Sequence, residues 1–184
     1  MDDKNIIDLF FERSENAIKE LEGKYGRLIM SLSRNILNNP SDAEECVNDT
    51  YLGVWNSIPP ERPDSLTAYV CRIARNLSLK KYQYNTAAKR NSHMDTALEE
   101  LENTLADSGN VEQEVIQAEL AREIERFMDS LKQTDRVVFM RRYYFADSYE
   151  AIAEITGISA KNVSVKLARV RGRLKEYLKD RGLM

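Results

Sequence analysis

Residues 148–173 read SYEAIAEITGISAKNVSVKLARVRGR. Ile152, Ile158, Val163 and Leu167 recur at helical spacing on the two sides of Gly157, and a serine stands ahead of each half, Ser148 before the first and Ser159 before the second. A serine oxygen satisfies free N–H groups in the first turn of a helix. Glycine adopts the positive φ of a tight turn without steric penalty. Ala153 is small where a second helix must cross the first. The stretch therefore predicts helices over 149–156 and 160–179, locked at a fixed angle by Ile152, Val163 and Leu167 as a helix-turn-helix.

The outward positions of the second helix are Lys161, Asn162, Ser164, Lys166 and Arg169, continued by Arg171, Arg173 and Lys175. A helix of this kind suits the DNA major groove, its early residues reaching base edges and its later cations holding phosphates. Yet the whole chain of 184 residues has a formal net charge of −3. Segregation of charge resolves the conflict. From Arg72 to Arg90 there are Lys and Arg but no Asp or Glu, whereas from Asp95 to Glu119 there are acids and no bases. Residues 91–111, NSHMDTALEELENTLADSGNV, read as an acidic linker with a short helical stretch over 96–105, a tether that offsets the basic faces without binding DNA itself.

Composition sets the wider frame. Few Gly and Pro, 31 % charged residues and apolar positions at helical spacing predict an all-α protein, and 184 residues suffice for two small helical domains. The boundaries implied are 1–90, the linker 91–111, and 112–184. No apolar run is long enough to cross a membrane, and the N-terminal MDDKNIIDLFFERSENAIKELE is acidic and amphipathic where a signal peptide would be basic and then apolar. The expectation is a cytoplasmic protein with no stable membrane insertion. Cys46 and Cys71 are distant in sequence and read as small buried hydrophobes. His93 is the only histidine and falls in the linker, and no HExxH, GxxxxGK or GxGxxG occurs. The chain is thus expected to be no enzyme, with no catalytic residue, metal or cofactor.

In the first half, helical patterns run over 6–21 and 25–37 and stop at Asn38, Asn39 and Pro40. Ser41 and Glu44 read as a capping box for a third helix, with Ala43, Val47, Tyr51, Val54 and Trp55 as its apolar stripe. The prolines of SIPPERPDS, residues 57–65, end it in a stiff loop, and Ser65 can cap a fourth helix over 66–84. That helix packs Leu66, Tyr69, Val70, Ile73 and Leu77 to one side and turns Arg72, Arg75, Asn76 and Lys80 elsewhere.

These segments resemble known ones. SYEAIAEITGIS preceded by LKQTDRVVFMRRYYFAD is similar to region four of bacterial sigma factors, SDAEECVNDTYLGVWNSI to the region-two helix that docks on the clamp of RNA polymerase, and SLTAYVCRIARNLSLKKY to the helix that reads and opens the minus-ten element. Two such domains with none between resemble the short extracytoplasmic-function class of the sigma-70 family. The resemblance implies a factor that binds core RNA polymerase and directs promoter-specific initiation. It implies polymerase contacts at Glu45, Asn48, Asp49 and Tyr51, and minus-ten contacts at Arg72, Arg75, Asn76, Lys80 and Lys81. The loop over 57–65 lies where the family captures an unpaired base. Lys161, Asn162, Ser164, Val165, Lys166 and Arg169 lie where it reads the minus-thirty-five element. The implied partners are the β′ clamp and β flap of core polymerase, promoter DNA and an anti-sigma factor. A conventional helix-turn-helix regulator would share the C-terminal half, but it would need a ligand pocket or dimer seam in the N-terminal half.

Overall fold

The computed structural model describes residues 1–85, 93–105 and 113–184. It is all-α: among the described residues every regular element is a helix, and the chain divides into two compact units, Met1–Ser92 and His93–Met184.

The first unit holds α1 (Asp3–Phe11), α2 (Asn16–Leu37), α3 (Pro40–Ser57) and α4 (Leu66–Asn85). Helices α2, α3 and α4 pack against one another in all three pairings, and α1 lies on α2. Phe10, Leu21, Ile29, Leu32, Val54 and Val70 are fully enclosed between them. The break expected near residue 22 falls instead at 12–15, where Arg13 takes a left-handed φ of 55°. Gly23 and Gly26 then pass inside α2, since an amphipathic stripe of this length outweighs the roughly 1 kcal/mol that each glycine costs a helix.

The start of α3 also departs from expectation. Asn39, not Ser41, is the N-cap, its side chain accepting from the N–H groups of Ser41 (3.0 Å) and Asp42 (3.4 Å), with Pro40 as the first helical residue. Proline suits that position because its missing N–H would have had no helical partner. At the head of α4, Ser65 Oγ accepts from Ala68 N at 3.3 Å.

The second unit holds α5 (His93–Leu105), α6 (Gln113–Ser130), α7 (Gln133–Tyr143), α8 (Tyr149–Thr156) and α9 (Ala160–Lys179). The bounds of α8 and α9 are those that the 148–173 stretch predicts. Ser148 accepts from Ala151 N, Ser159 accepts from Asn162 N, and Gly157 turns between the helices at φ 72°. Ile152, Val163 and Leu167 are fully buried where α8 meets α9, and trimming Leu167 to alanine there would cost about 2–5 kcal/mol.

The acidic segment expected to be a linker contains α5. Its Met94 and Ala97 are buried, and it packs on α7 and α9 as part of the second unit. Positions 91, 92 and 106–111 of the expected linker, and residue 112 after it, lie outside the described residues.

Candidate nucleic-acid and polymerase interface

On α4, Arg72, Asn76 and Lys80 are exposed and spaced by four, so they form one outward stripe. The Arg72 guanidinium stands 5.2 Å from the centroid of the buried Tyr69 ring. Beside the stripe is an open cleft lined by Glu61, Pro63, Asp64, Ser65, Ala68, Tyr69 and Arg72, which joins the proline loop to α4. Arg75 is half-buried. Lys81 is turned away from the stripe: its Nζ lies 2.7 Å from Glu45 and 3.7 Å from Asp42. The hydrogen bond to Glu45 holds the ammonium above its ordinary pKa, against a smaller opposing effect of burial. One residue assigned to DNA thus pairs with one assigned to polymerase, a cross-link of α3 and α4 that residue periodicity does not reveal.

On α3, Glu45, Asn48 and Asp49 share the face opposite the core. Tyr51 does not join them. It is 9 % exposed and lines a groove with Glu22, Gly26 and Asn48. Burial pushes the Tyr51 hydroxyl above its usual pKa. Gly26 makes room for it, since a Cβ there would stand 3.1 Å from the Tyr51 hydroxyl. In its place Leu52 lies amid the acids and is 57 % exposed. The signal for Leu52 was available: a large apolar residue off the stripe of Ala43, Val47, Tyr51 and Val54.

On α9 the core side is Val163, Leu167, Val170, Leu174 and Leu178. Lys161, Asn162, Val165 and Arg169 are exposed on the opposite side, and Ser164 is half-buried at the flank. Lys166 leans back to α7, where its Nζ lies 2.9 Å from Asp135 Oδ1. It is a tie between helices as well as a cation.

Among the described residues of the second unit a polar cluster centres on Glu100 of α5, which reading the acidic run as a tether missed. Its carboxylate accepts from Arg142 Nη2 (2.6 Å), Tyr149 OH (2.9 Å), Tyr143 OH (3.1 Å) and Arg171 Nη1 (3.2 Å). Three further helices, α7, α8 and α9, therefore converge on one acid. Burial alone would raise the Glu100 pKa. Hydrogen bonds from Arg142, Tyr149 and Tyr143, with the Arg142 charge, outweigh it and hold the carboxyl below the usual glutamate value. Burial, above all, drives the Tyr143 hydroxyl far up. Arg142 also donates to the Asp147 carbonyl at 2.9 Å, so the guanidinium is satisfied on two sides. Arg171 belongs to this cluster rather than to the outer surface: its side chain is only 18 % exposed. At the far end of α9, Glu123 of α6 accepts from Tyr177 OH (3.0 Å) and Arg181 Nε (2.7 Å).

Among the described residues no three His, Cys, Asp or Glu side chains gather as a metal ligand set, and no helix is long and apolar enough to cross a membrane.

Comparison with known proteins shows the family. The model for sigma-70 region 2 matches residues 23–87 and that for sigma-70 region 4 matches 121–174, together more than half of the chain. The ECF RNA polymerase sigma factor SigE of Mycolicibacterium smegmatis is 24 % identical over 159 residues, covering 86 % of this chain and 60 % of its own length. The RNA polymerase sigma-H factor of Bacillus licheniformis is 25 % identical, covering 98 % and 88 %. RNA polymerase sigma factor YlaC of Bacillus subtilis is 25 % identical, covering 90 % and 94 %. The structure of CnrH in complex with the cytosolic domain of CnrY is similar at 19 % identity and a TM-score of 0.45, covering 97 % of both chains. Helical units of these two kinds, in this order, define a protein of transcription initiation. The chain belongs to the sigma-70 family of RNA polymerase sigma factors, in its extracytoplasmic-function class.

Proposed function

We propose that this chain binds bacterial core RNA polymerase, directs it to promoters and helps to melt them. The observation that carries the reading is that region-2 and region-4 units stand in one chain, each exposing a helix face with basic residues. The polymerase performs the chemistry. The α3 face of Glu45, Asn48, Asp49 and Leu52 is assigned to the β′ clamp, and the second unit takes the β flap.

In this reading α9 enters the major groove at the minus-thirty-five element, while Arg72, Arg75, Asn76 and Lys80 meet the minus-ten strand. Extruding a base costs a few kcal/mol. The cleft between the proline loop and α4 offsets that cost by enclosing the base, with Arg72 beside it for the strand phosphates. Binding energy available only to unpaired DNA shifts the equilibrium toward the open promoter. An anti-sigma protein, in keeping with the class, would act by covering the same α3 and α4 faces. The cytoplasm is the compartment proposed, since that is where core polymerase and DNA are met.

Sizing chromatography with core polymerase, followed by DNA capture, tests the reading. Comigration as one copy per polymerase, with DNA retained only by the complex, is the expected result. A free dimer that captures palindromic DNA without polymerase would instead identify a conventional regulator.

A further inference from the structure

Val165 is half exposed, at 50 %, in the midst of a polar and basic helix face. The core residues Val163, Leu167, Val170 and Leu174 fix the inward direction of α9. At about 100° per residue Val165 then points almost directly away from the core, with Lys161 and Arg169 on either side of it and Asn162 one turn earlier at the flank. Val165 therefore contributes little to folding: its outer half meets no protein within the unit. Ser164 and Lys166, its sequence neighbours, are both more enclosed. Asn162 is likewise exposed, and Ser159 Oγ accepts its backbone N–H at 3.3 Å, which leaves the side-chain amide to face outward from the first turn.

Resting on the assignment of α9 to the major groove, we infer that Asn162 and Val165 are the base-reading pair of this helix, and that Val165 selects a thymine through its 5-methyl group. The chemistry is specific. Thymine is the one base that presents a methyl group in the major groove, and an apolar side chain is what recognises it, whereas a carboxamide pairs with N6 and N7 of adenine. Spacing suits adjacent base pairs, because three residues of helix advance about 4.5 Å and one base step about 3.4 Å. The flanking Lys161 and Arg169 are long enough to reach phosphates while the two shorter side chains face the base edges. The inferred element therefore contains an A·T pair read by Asn162 beside a pair whose thymine lies against Val165.

The test uses the full chain with core polymerase on a selected promoter, in which each thymine of the upstream element is replaced singly by deoxyuridine. One position is expected to lose binding about fourfold, the size appropriate to one buried methyl group. Val165→Ala should weaken binding to the thymine promoter by a similar factor and abolish its preference for thymine over uracil there. Replacing adenine by 7-deazaadenine one step away should weaken wild-type binding and leave Asn162→Ala unaffected. Promoter-specific binding that is indifferent to uracil at every upstream position overturns this inference while leaving the sigma-factor reading intact. Absence of any promoter-specific binding overturns both. Unfolding of Val165→Ala at the wild-type urea midpoint excludes a structural origin for its effect; a shifted midpoint would show that Val165 supports the fold and count against the inference.

Discussion

Glu100 and Arg142, 42 residues apart, meet at 2.6 Å in a nearly enclosed ion pair. Arg142 comes from α7 and is 3 % exposed. Glu100 comes from α5, in a segment whose acidity suggested a tether. Since α8 and α9 also reach Glu100 through Tyr149 and Arg171, the acid braces the helix-turn-helix from behind.

Removing one partner of an enclosed pair leaves the other charge without compensation. Glu100→Ala is therefore expected to destabilise the second unit by about 3 kcal/mol. Hydrogen exchange in α8 and α9 of the full chain measures it. Trp55, the single tryptophan, reports the first unit, and its fluorescence transition should not move. Glu99→Ala, at an exposed neighbour, should stay within about 0.5 kcal/mol of wild type.

The same carboxyl makes stability depend on pH. Its folded pKa lies below the ordinary glutamate value, so its contribution is complete above that value and fades as pH falls through the folded one. The groups that face it are Arg142, Tyr143, Tyr149 and Arg171, and both arginines stay charged throughout the acid range. Urea midpoints for the second unit should fall with acidification below about pH 4.5, and the Glu100→Gln variant should show a shallower fall. Equal slopes for the two proteins would remove Glu100 as the titrating group.

Lys166 and Lys161 are expected to behave differently although both are cations of α9. Lys166→Glu sets a carboxylate against Asp135 and should cost about 2 kcal/mol of stability. Adding Asp135→Asn should recover much of it, the coupling expected of residues in contact. Lys161→Ala should leave the urea midpoint unchanged and reduce the salt dependence of promoter binding by about 0.9 in log–log slope, one phosphate contact. A slope equal to wild type would detach Lys161 from the DNA.

Asp49 is the cleanest probe of the α3 face, because it is exposed and apart from the Lys81 link that engages Glu45. Asp49→Arg is expected to weaken core polymerase binding at least about tenfold with no change in thermal stability. Titration of labelled protein with core polymerase decides it. Undiminished affinity would move the docking surface elsewhere.

Much of this was legible in the sequence because it rests on short-range rules. The caps at Ser148 and Ser159, the turn at Gly157 and the buried Ile152, Val163 and Leu167 all follow from spacing within a few residues. The outward positions of Lys161, Asn162 and Arg169 follow from the same periodicity. What escaped depends on tertiary neighbours. Periodicity shows that Lys81 and Lys166 are not core, but not that Glu45 and Asp135 come within reach of them. Glu100 meets residues 42 to 71 positions away, so its local setting, an acidic run, pointed to solvent. Local rules misled at two places: the amphipathic stripe of α2 runs through residues 22–24, where the two expected helical patterns left a gap, and Asn39 precedes Ser41 as the cap because Pro40 supplies a ready first helical residue.

Run-off transcription by purified bacterial core polymerase over a random promoter library, with and without this chain, measures whether the chain directs initiation to particular promoters. The expected outcome is a set of chain-dependent transcripts whose templates share two short motifs at a fixed spacing, the upstream one for α9 and the downstream one for α4. Transcripts with no shared motif, or an identical set without the chain, would contradict it.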